Sequence, residues 1–271
     1  MAAVAAVSQG AAAAAPSSEL ATLLSPSQVA CFTDCSAKWW FKYGLKMPDP
    51  KNANLALGIA VHESIGQYFR ARMAGAAADL EPEDAAAAFE HAWARQLEGD
   101  TVLRDEDDPE EIRATGRILV SRYAAEIAPS IEPAAIEEPV EGVIAGVRVQ
   151  GKVDIRETNG RLRDIKTASR KPCGVSAQHA FQLATYLQIT PAAANVAVVD
   201  TLVKTKTPQL IQSFHRIDDQ QIRATQRMYP LAQEAMRAGL YIPNRASNLC
   251  SRKSCAFWRS CEREFGGRVS E

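Results

Sequence analysis

Apolar and polar positions divide this chain into a helical first half and a second half in which strands take over. Over 26–43, 55–72, 81–98 and 109–128 apolar residues recur every three to four positions, the spacing that lines one face of a helix. Ser25-Pro26-Ser27-Gln28 reads as the start of the first helix. Ser25 is its N-cap, Pro26 takes the first helical position, Gln28 closes a capping box, and Gly44 is the stop. The run DEDDPEE at 105–111 reads as an acidic loop that caps the fourth helix.

From about Val140 the period changes to alternation, with Val147, Val149, Val153 and Ile155 on one stretch and a Thr-Asn-Gly turn after it, which predicts a hairpin. Strands are expected again at 195–204 and 209–216, parted by Lys206-Thr207-Pro208. Helical periods fill 175–190 and 218–238, the latter opening at Asp218-Asp219 and ending at Gly239. Helices followed by strands with an embedded helix predict a mixed α/β core, a central sheet flanked by helices. No internal repeat interrupts this order.

The opening MAAVAAVSQGAAAAAPSSE lacks the positive start and leucine-rich stretch of a signal peptide, so residues 1–24 are expected to be a disordered Ala-rich tail. The remaining 25–271 are expected to form one domain. Its parts would be helices at 25–135, a catalytic sheet with helices at 136–240 and a cysteine-rich tail at 241–271. With 271 residues, 46% of them hydrophobic, the chain is long enough to bury a substantial core. No run reaches the roughly 18 apolar residues of a membrane helix, which predicts a protein with no membrane partner.

Net charge is only -1, but it is unevenly spread: residues 142–271 carry 20 Lys and Arg against 10 Asp and Glu, and residues 1–141 carry 11 against 22. A basic C-terminal half suits a phosphate-binding surface and equally an ordinary solvated one. Six cysteines stand at 31, 35, 173, 250, 255 and 261, and the last three fall within twelve residues. Such clustering without a secretion signal favours metal or cluster binding over disulfides.

The densest chemistry lies in GKVDIRETNGRLRDIKT, residues 151–167. Asp164 and Lys166 are two apart on a strand and point to one face. Asp154 joins them only in one register. A two-residue loop at Asn159-Gly160 sets it on the other face, whereas a three-residue loop Thr158-Asn159-Gly160, with Gly160 left-handed, pairs it with Asp164. The second register is predicted, because Val153, Ile155 and Ile165 then share the apolar face. Two carboxylates at that spacing repel unless a divalent cation lies between them, and oxygen ligands suit Mg²⁺ or Mn²⁺. A bound metal would lower the pKa of its water, and Lys166 would position or deprotonate that water and stabilise charge on a phosphate under attack. A surface hairpin of alternating charges is the competing reading.

Gly151-x-x-Asp154 followed by Asp164-x-Lys166 resembles two motifs of the PD-(D/E)XK nucleases. LALGIAVHESIGQYF at 55–69 resembles the Gly-x-x-x-His motif of the RecB-like group through Gly58 and His62. AFQLATYLQI at 180–189 resembles its Gln-x-x-x-Tyr motif through Gln182 and Tyr186, and SPSQVACFTDCSAKWWFKY at 25–43 resembles its opening helix. The resemblance implies a restriction-endonuclease-like core and hydrolysis of DNA without a covalent intermediate. It places His62, Asp154, Asp164 and the Ile165 carbonyl as metal ligands and Asp154, Asp164, Lys166, Gln182 and Tyr186 as catalytic residues. Gln182 and Tyr186, one helical turn apart, would meet the DNA backbone or orient Lys166. Glu63 points about 100° away from His62 around the helix and stays outside the metal site.

Cys250-x4-Cys255-x5-Cys261 needs a fourth ligand. The resemblance supplies it as Cys35, joining the three tail cysteines around a [4Fe-4S] cluster, with Zn²⁺ as the alternative. Cys31, one turn before Cys35, is the other candidate, and Cys173 is expected to be unliganded. Arg252, Lys253, Arg259 and Arg263 interleave with Trp258, which either stacks a nucleic-acid base or covers the cluster. The function implied is an exonuclease on DNA ends or single strands in recombination or repair. It would act in the cytoplasm with a recombination, repair or helicase protein as partner, since the chain carries no motor motifs. A DNA-end processor in CRISPR adaptation and a non-catalytic cluster or zinc binding module are the rivals; the presence of all of His62, Asp154, Asp164 and Lys166 favours an enzyme.

Overall fold

Local signals set most helix ends. Ser25 accepts the Gln28 amide with Pro26 following it, Asp108 accepts the amides of Glu110 and Glu111 ahead of the fourth long helix, and Ser176 accepts that of His179. The computed structural model describes residues 21–75, 80–104 and 107–271. In chain order the elements are β1 (Leu23–Leu24), α1 (Pro26–Asp34), α2 (Ser36–Trp39), a π-helical turn (Trp40–Gly44), β2 (Lys51–Asn52), α3 (Ala53–Met73), α4 (Pro82–Glu98) and β3 (Thr101–Val102). There follow α5 (Pro109–Glu126), a 3-10 turn (Ala128–Ser130), β4 (Pro133–Ile144), β5 (Val147–Glu157), β6 (Leu162–Ala168), α6 (Ala177–Ile189), β7 (Val196–Val203), β8 (Gln209–Arg216), α7 (Asp219–Arg237) and α8 (Trp258–Phe265).

The chain divides into two compact units, Pro50–Arg227 and the pair of segments Met1–Asp49 and Met228–Glu271. In the first, the strands lie in the order β4-β5-β6-β7-β8. Within this sheet pairing is antiparallel except between β6 and β7, whose parallel register Asp164 to Val199 and Lys166 to Thr201 is reached through the crossover helix α6; β2 and β3 form a separate parallel pair. This is the mixed sheet with flanking helices that the sequence predicts. Helices α3, α4 and α5 bury Leu57, Ile65, Phe69, Phe89, Trp93, Leu119 and Tyr123 in a cluster that includes Ile155 and Ile165 of the sheet. Each such Leu, Ile or Phe side chain contributes roughly 1.5–3 kcal/mol by leaving water.

In the second unit the expected continuous helix over 26–43 is broken. Cys35 adopts extended backbone, φ -153 and ψ 100, closing α1 and opening α2. No Gly or Pro marks the break; hydrogen bonds from outside the helix accompany it. Ser36 Oγ accepts the Ile242 amide at 2.7 Å, and Asn244 Nδ2 donates to the Asp34 carbonyl at 2.8 Å. Of the expected N-terminal tail, residues 1–20 lie outside the described residues, whereas Ala21 and Leu24 are buried. Residues 105 and 106 of the expected acidic loop also lie outside. Among the described residues no helix is long and apolar enough to cross a membrane.

Candidate active site

The β5–β6 turn settles the register on which the site depends. Glu157 N–H donates to the Arg161 carbonyl at 2.9 Å, Gly160 sits at φ +80, and Ile155 pairs with Arg163. Three residues therefore form the loop, and the same register sets Asp154 opposite Asp164. A side chain at Gly160 would run into the Ala192 carbonyl, so the left-handed turn and the close approach both call for glycine. Val153, Ile155 and Ile165 are buried, as that register requires.

Around the carboxylates the sequence-predicted residues converge. Asp154 Oδ2 accepts the Ile165 amide at 2.8 Å and lies 3.4 Å from His62 Nδ1. Asp164 Oδ1 accepts from Lys166 Nζ at 2.6 Å and from Gln182 Nε2 at 3.1 Å, and Gln182 also reaches the Tyr186 hydroxyl at 3.4 Å. Asp164 Oδ2 is buried with no hydrogen-bond partner. Ile165, expected to offer its carbonyl, meets the site here through its amide. Two glycines let the helices close in. A Cβ at Gly58 would stand 3.3 Å from Thr167 Oγ1 on β6, and one at Gly151 would collide with the Tyr186 ring.

Burial drives the Asp164 pKa up to about 6, with the Asp154 charge adding to it and Lys166 opposing. For Asp154, burial also raises the pKa, but His62 and Lys166 more than offset it and hold the group below the ordinary carboxylate value. His62 and Lys166 are each lowered by burial and raised further by the carboxylates, so both favour their cationic forms. In this state protons and an ammonium partner the carboxylates. Among the described residues no three His, Cys, Asp or Glu side chains are gathered around a point from which all could bind one ion. The donor set nonetheless suits a hard divalent cation: one imidazole, two carboxylates and a buried carboxylate oxygen without a partner.

Sequence reasoning missed several residues here. A groove of about 610 Å³ is lined by His62 and Lys166 together with Arg70, Glu137 and Lys152. Lys152 is two positions from Asp154 on β5, a spacing visible in the sequence; Arg70 and Glu137 carry no such signal. His179, three residues before Gln182, is pushed down to about 4 by burial and by the Lys166 ammonium, so it is neutral.

In the other unit, Cys35, Cys250, Cys255 and Cys261 line one cavity with Lys38, Phe41, Phe257 and Trp258. The Asn244 amide donates to Cys35 Sγ at 3.4 Å, and the Phe257 amide to Cys255. Burial raises the pKa of Cys255 and Cys261; the charges of Cys35 and Cys250 add to it at Cys255, and those of Cys35, Cys255 and Cys250 at Cys261. Cys31 does not line this cavity; burial pushes it to about 11. Cys173 is exposed. The Trp258 ring is already engaged by the guanidinium groups of Arg252 and Arg259, 4.7 and 5.0 Å from its centroid.

Residues 23–262 match the family model of the PD-(D/E)XK nuclease superfamily. A solved structure of a "Putative exonuclease" from Eubacterium rectale aligns over 92% of this chain and 90% of that one, with a TM-score of 0.58 and 12% identity, a likeness of fold. The structure of SSO0001 aligns over 78% of this chain and 85% of that one at 13% identity, with a TM-score of 0.36. No curated protein matches the chain.

Proposed function

The chain belongs to the PD-(D/E)XK nuclease superfamily, and on that premise we propose that it is a metal-dependent deoxyribonuclease, an exonuclease acting on DNA ends in cytoplasmic recombination or repair. His62, Asp154, Asp164 and the Ile165 carbonyl would hold Mg²⁺ or Mn²⁺. A divalent ion bound there supplies Lewis acidity toward the phosphate and a lowered pKa for its water. The observation that carries the reading is Asp164 Oδ2, a carboxylate oxygen buried without a partner beside a second carboxylate and a lysine.

The chain's own groups divide the remaining work. Lys166, whose Nζ bonds Asp164 Oδ1, positions or deprotonates the attacking water and stabilises negative charge on the phosphate. Gln182 holds the second lobe of Asp164 Oδ1 and ties it to Tyr186, whose hydroxyl is fixed by the Lys152 backbone. Cys35, Cys250, Cys255 and Cys261 are proposed to hold a [4Fe-4S] cluster, supported by their common cavity and by backbone amides directed at two of the sulfurs.

The test is degradation of linear and of closed circular DNA with Mg²⁺, Mn²⁺ or EDTA, recording the visible spectrum of the anaerobically purified sample. Linear DNA is expected to be degraded only with metal, and folded Asp154→Ala and Lys166→Ala variants to lose roughly 10²–10³-fold in rate. A folded Asp154→Ala protein cutting at the unaltered rate would overturn the site. A colourless preparation containing zinc would replace the iron-sulfur assignment.

A further inference from the structure

Three charged residues of the groove have no part in the reaction proposed above. Glu137 Oε2 accepts from Arg70 Nη1 at 3.0 Å and its Oε1 from Lys152 Nζ at 2.9 Å. Arg70 comes from α3, Lys152 from β5 and Glu137 from β4, and all three line the groove with His62 and Lys166. The Lys152 and Arg70 side chains are 55% and 46% exposed, against 25% for Glu137.

Glu137 is held in an unusual way. Its φ is +50, although it lies within a strand, between Ile136, which pairs with Ile155, and Glu138, which pairs with Val153. It therefore stands across from Asp154. Left-handed backbone at a residue other than Gly is strained and persists only where surroundings enforce it. Part-exposed ion pairs contribute little to stability, so the two pairs give no stability reason for the strain.

One carboxylate thus fixes two cations in the groove that His62 and Lys166 also line, with most of their N–H donors still unspent. An anion with several oxygens, spaced along a chain, is what such a pair matches. We propose that Arg70 and Lys152 form a phosphate-binding pair that seats the DNA strand beside the scissile position, and that Glu137 is the positioning residue that sets their spacing. This rests on the nuclease reading of the same groove.

The experiment measures binding of a fluorescent duplex on an Asp154→Asn background across a salt series, using duplexes with 5′-phosphate or 5′-hydroxyl ends, with thermal melts to confirm folding. Arg70→Ala and Lys152→Ala are each expected to weaken binding roughly tenfold and to lower the salt slope by about 1. Weakening confined to the 5′-phosphorylated duplex identifies the end phosphate as the ligand, and equal weakening identifies a backbone phosphate. Glu137→Gln, in the otherwise unaltered enzyme, is expected to lower kcat about tenfold with a smaller change in KM, because the strand binds but is seated loosely. A double Arg70→Ala/Lys152→Ala protein with unchanged Kd and salt slope overturns the pair. Cleavage by the unaltered protein separates the two readings: if it cuts while the double variant binds normally, only the phosphate pair fails. If it neither binds nor cuts DNA, the nuclease reading fails and the pair with it.

Discussion

Asp164 is a carboxyl group under strain of charge. Burial and the neighbouring Asp154 raise its pKa from 3.8 to about 6, and Lys166 and Gln182 satisfy only one of its oxygens. A folded-state pKa above the unfolded value means that the folded protein binds the extra proton between about pH 4 and 6. Ionisation of this residue therefore costs stability as pH rises through that window. In EDTA, the stability of the unaltered protein minus that of Asp164→Asn should fall by on the order of 1–3 kcal/mol between pH 4 and pH 7. Urea unfolding at each pH measures it, and a flat difference would show that Asp164 titrates normally. Excess Mn²⁺ at pH 7 should raise the unaltered protein's melting temperature and leave that of the variant nearly unmoved, since only binding to the folded form stabilises.

The β5–β6 hairpin was legible in the sequence because its register follows from two local facts, the Asn159-Gly160 turn and the alternation of Val153, Ile155 and Ile165. His62, Gln182 and Tyr186 were singled out through motif spacing, which helical and strand periods convert into convergence on Asp154 and Asp164. Elements fixed by distant partners were not legible. β4 begins at Pro133, earlier than the change of period near Val140, because pairing with β5 supplies what its own alternation lacks. Glu137 takes a left-handed conformation with no glycine to announce it.

Arg163, between Leu162 and Asp164, reads as one more exposed charge on a hairpin. It is only 2% exposed, donating to Glu157 Oε1 at 2.9 Å and to Asp200 Oδ2 at 2.7 Å, while the Tyr123 hydroxyl donates to the same Asp200 oxygen at 2.7 Å. The network links α5, β5, β6 and β7. Arg163→Ala would leave Asp200 buried without its cation and Glu157 with Arg161 alone, and should cost about 3–5 kcal/mol in urea unfolding. A loss under about 1 kcal/mol would mean that water takes over the pairing with Asp200.

At the scale of the whole chain, one compact unit is assembled from both sequence ends, Met1–Asp49 and Met228–Glu271. Closing so long an intervening segment carries an entropic cost that grows with the logarithm of its length. Contacts between the two segments that repay it include Trp40 stacked on Tyr241 at 4.6 Å, Phe41 packed on Phe257 at 5.9 Å, and Ser247 Oγ donating to Asp34 Oδ2 at 3.0 Å. The four cavity cysteines stand on the same two segments, and burial disfavours the thiolates of Cys255 and Cys261 until an ion neutralises them. Ligation would then act as a cross-link between chain ends, coupling metal binding to the folding of this unit. Cys261→Ser should therefore speed amide hydrogen exchange in 26–44 and 241–265 together, while β4 through β8 keep their protection. Exchange altered only around 255–265 would show instead that aromatic packing alone joins the ends, and the cysteines would lose their structural role.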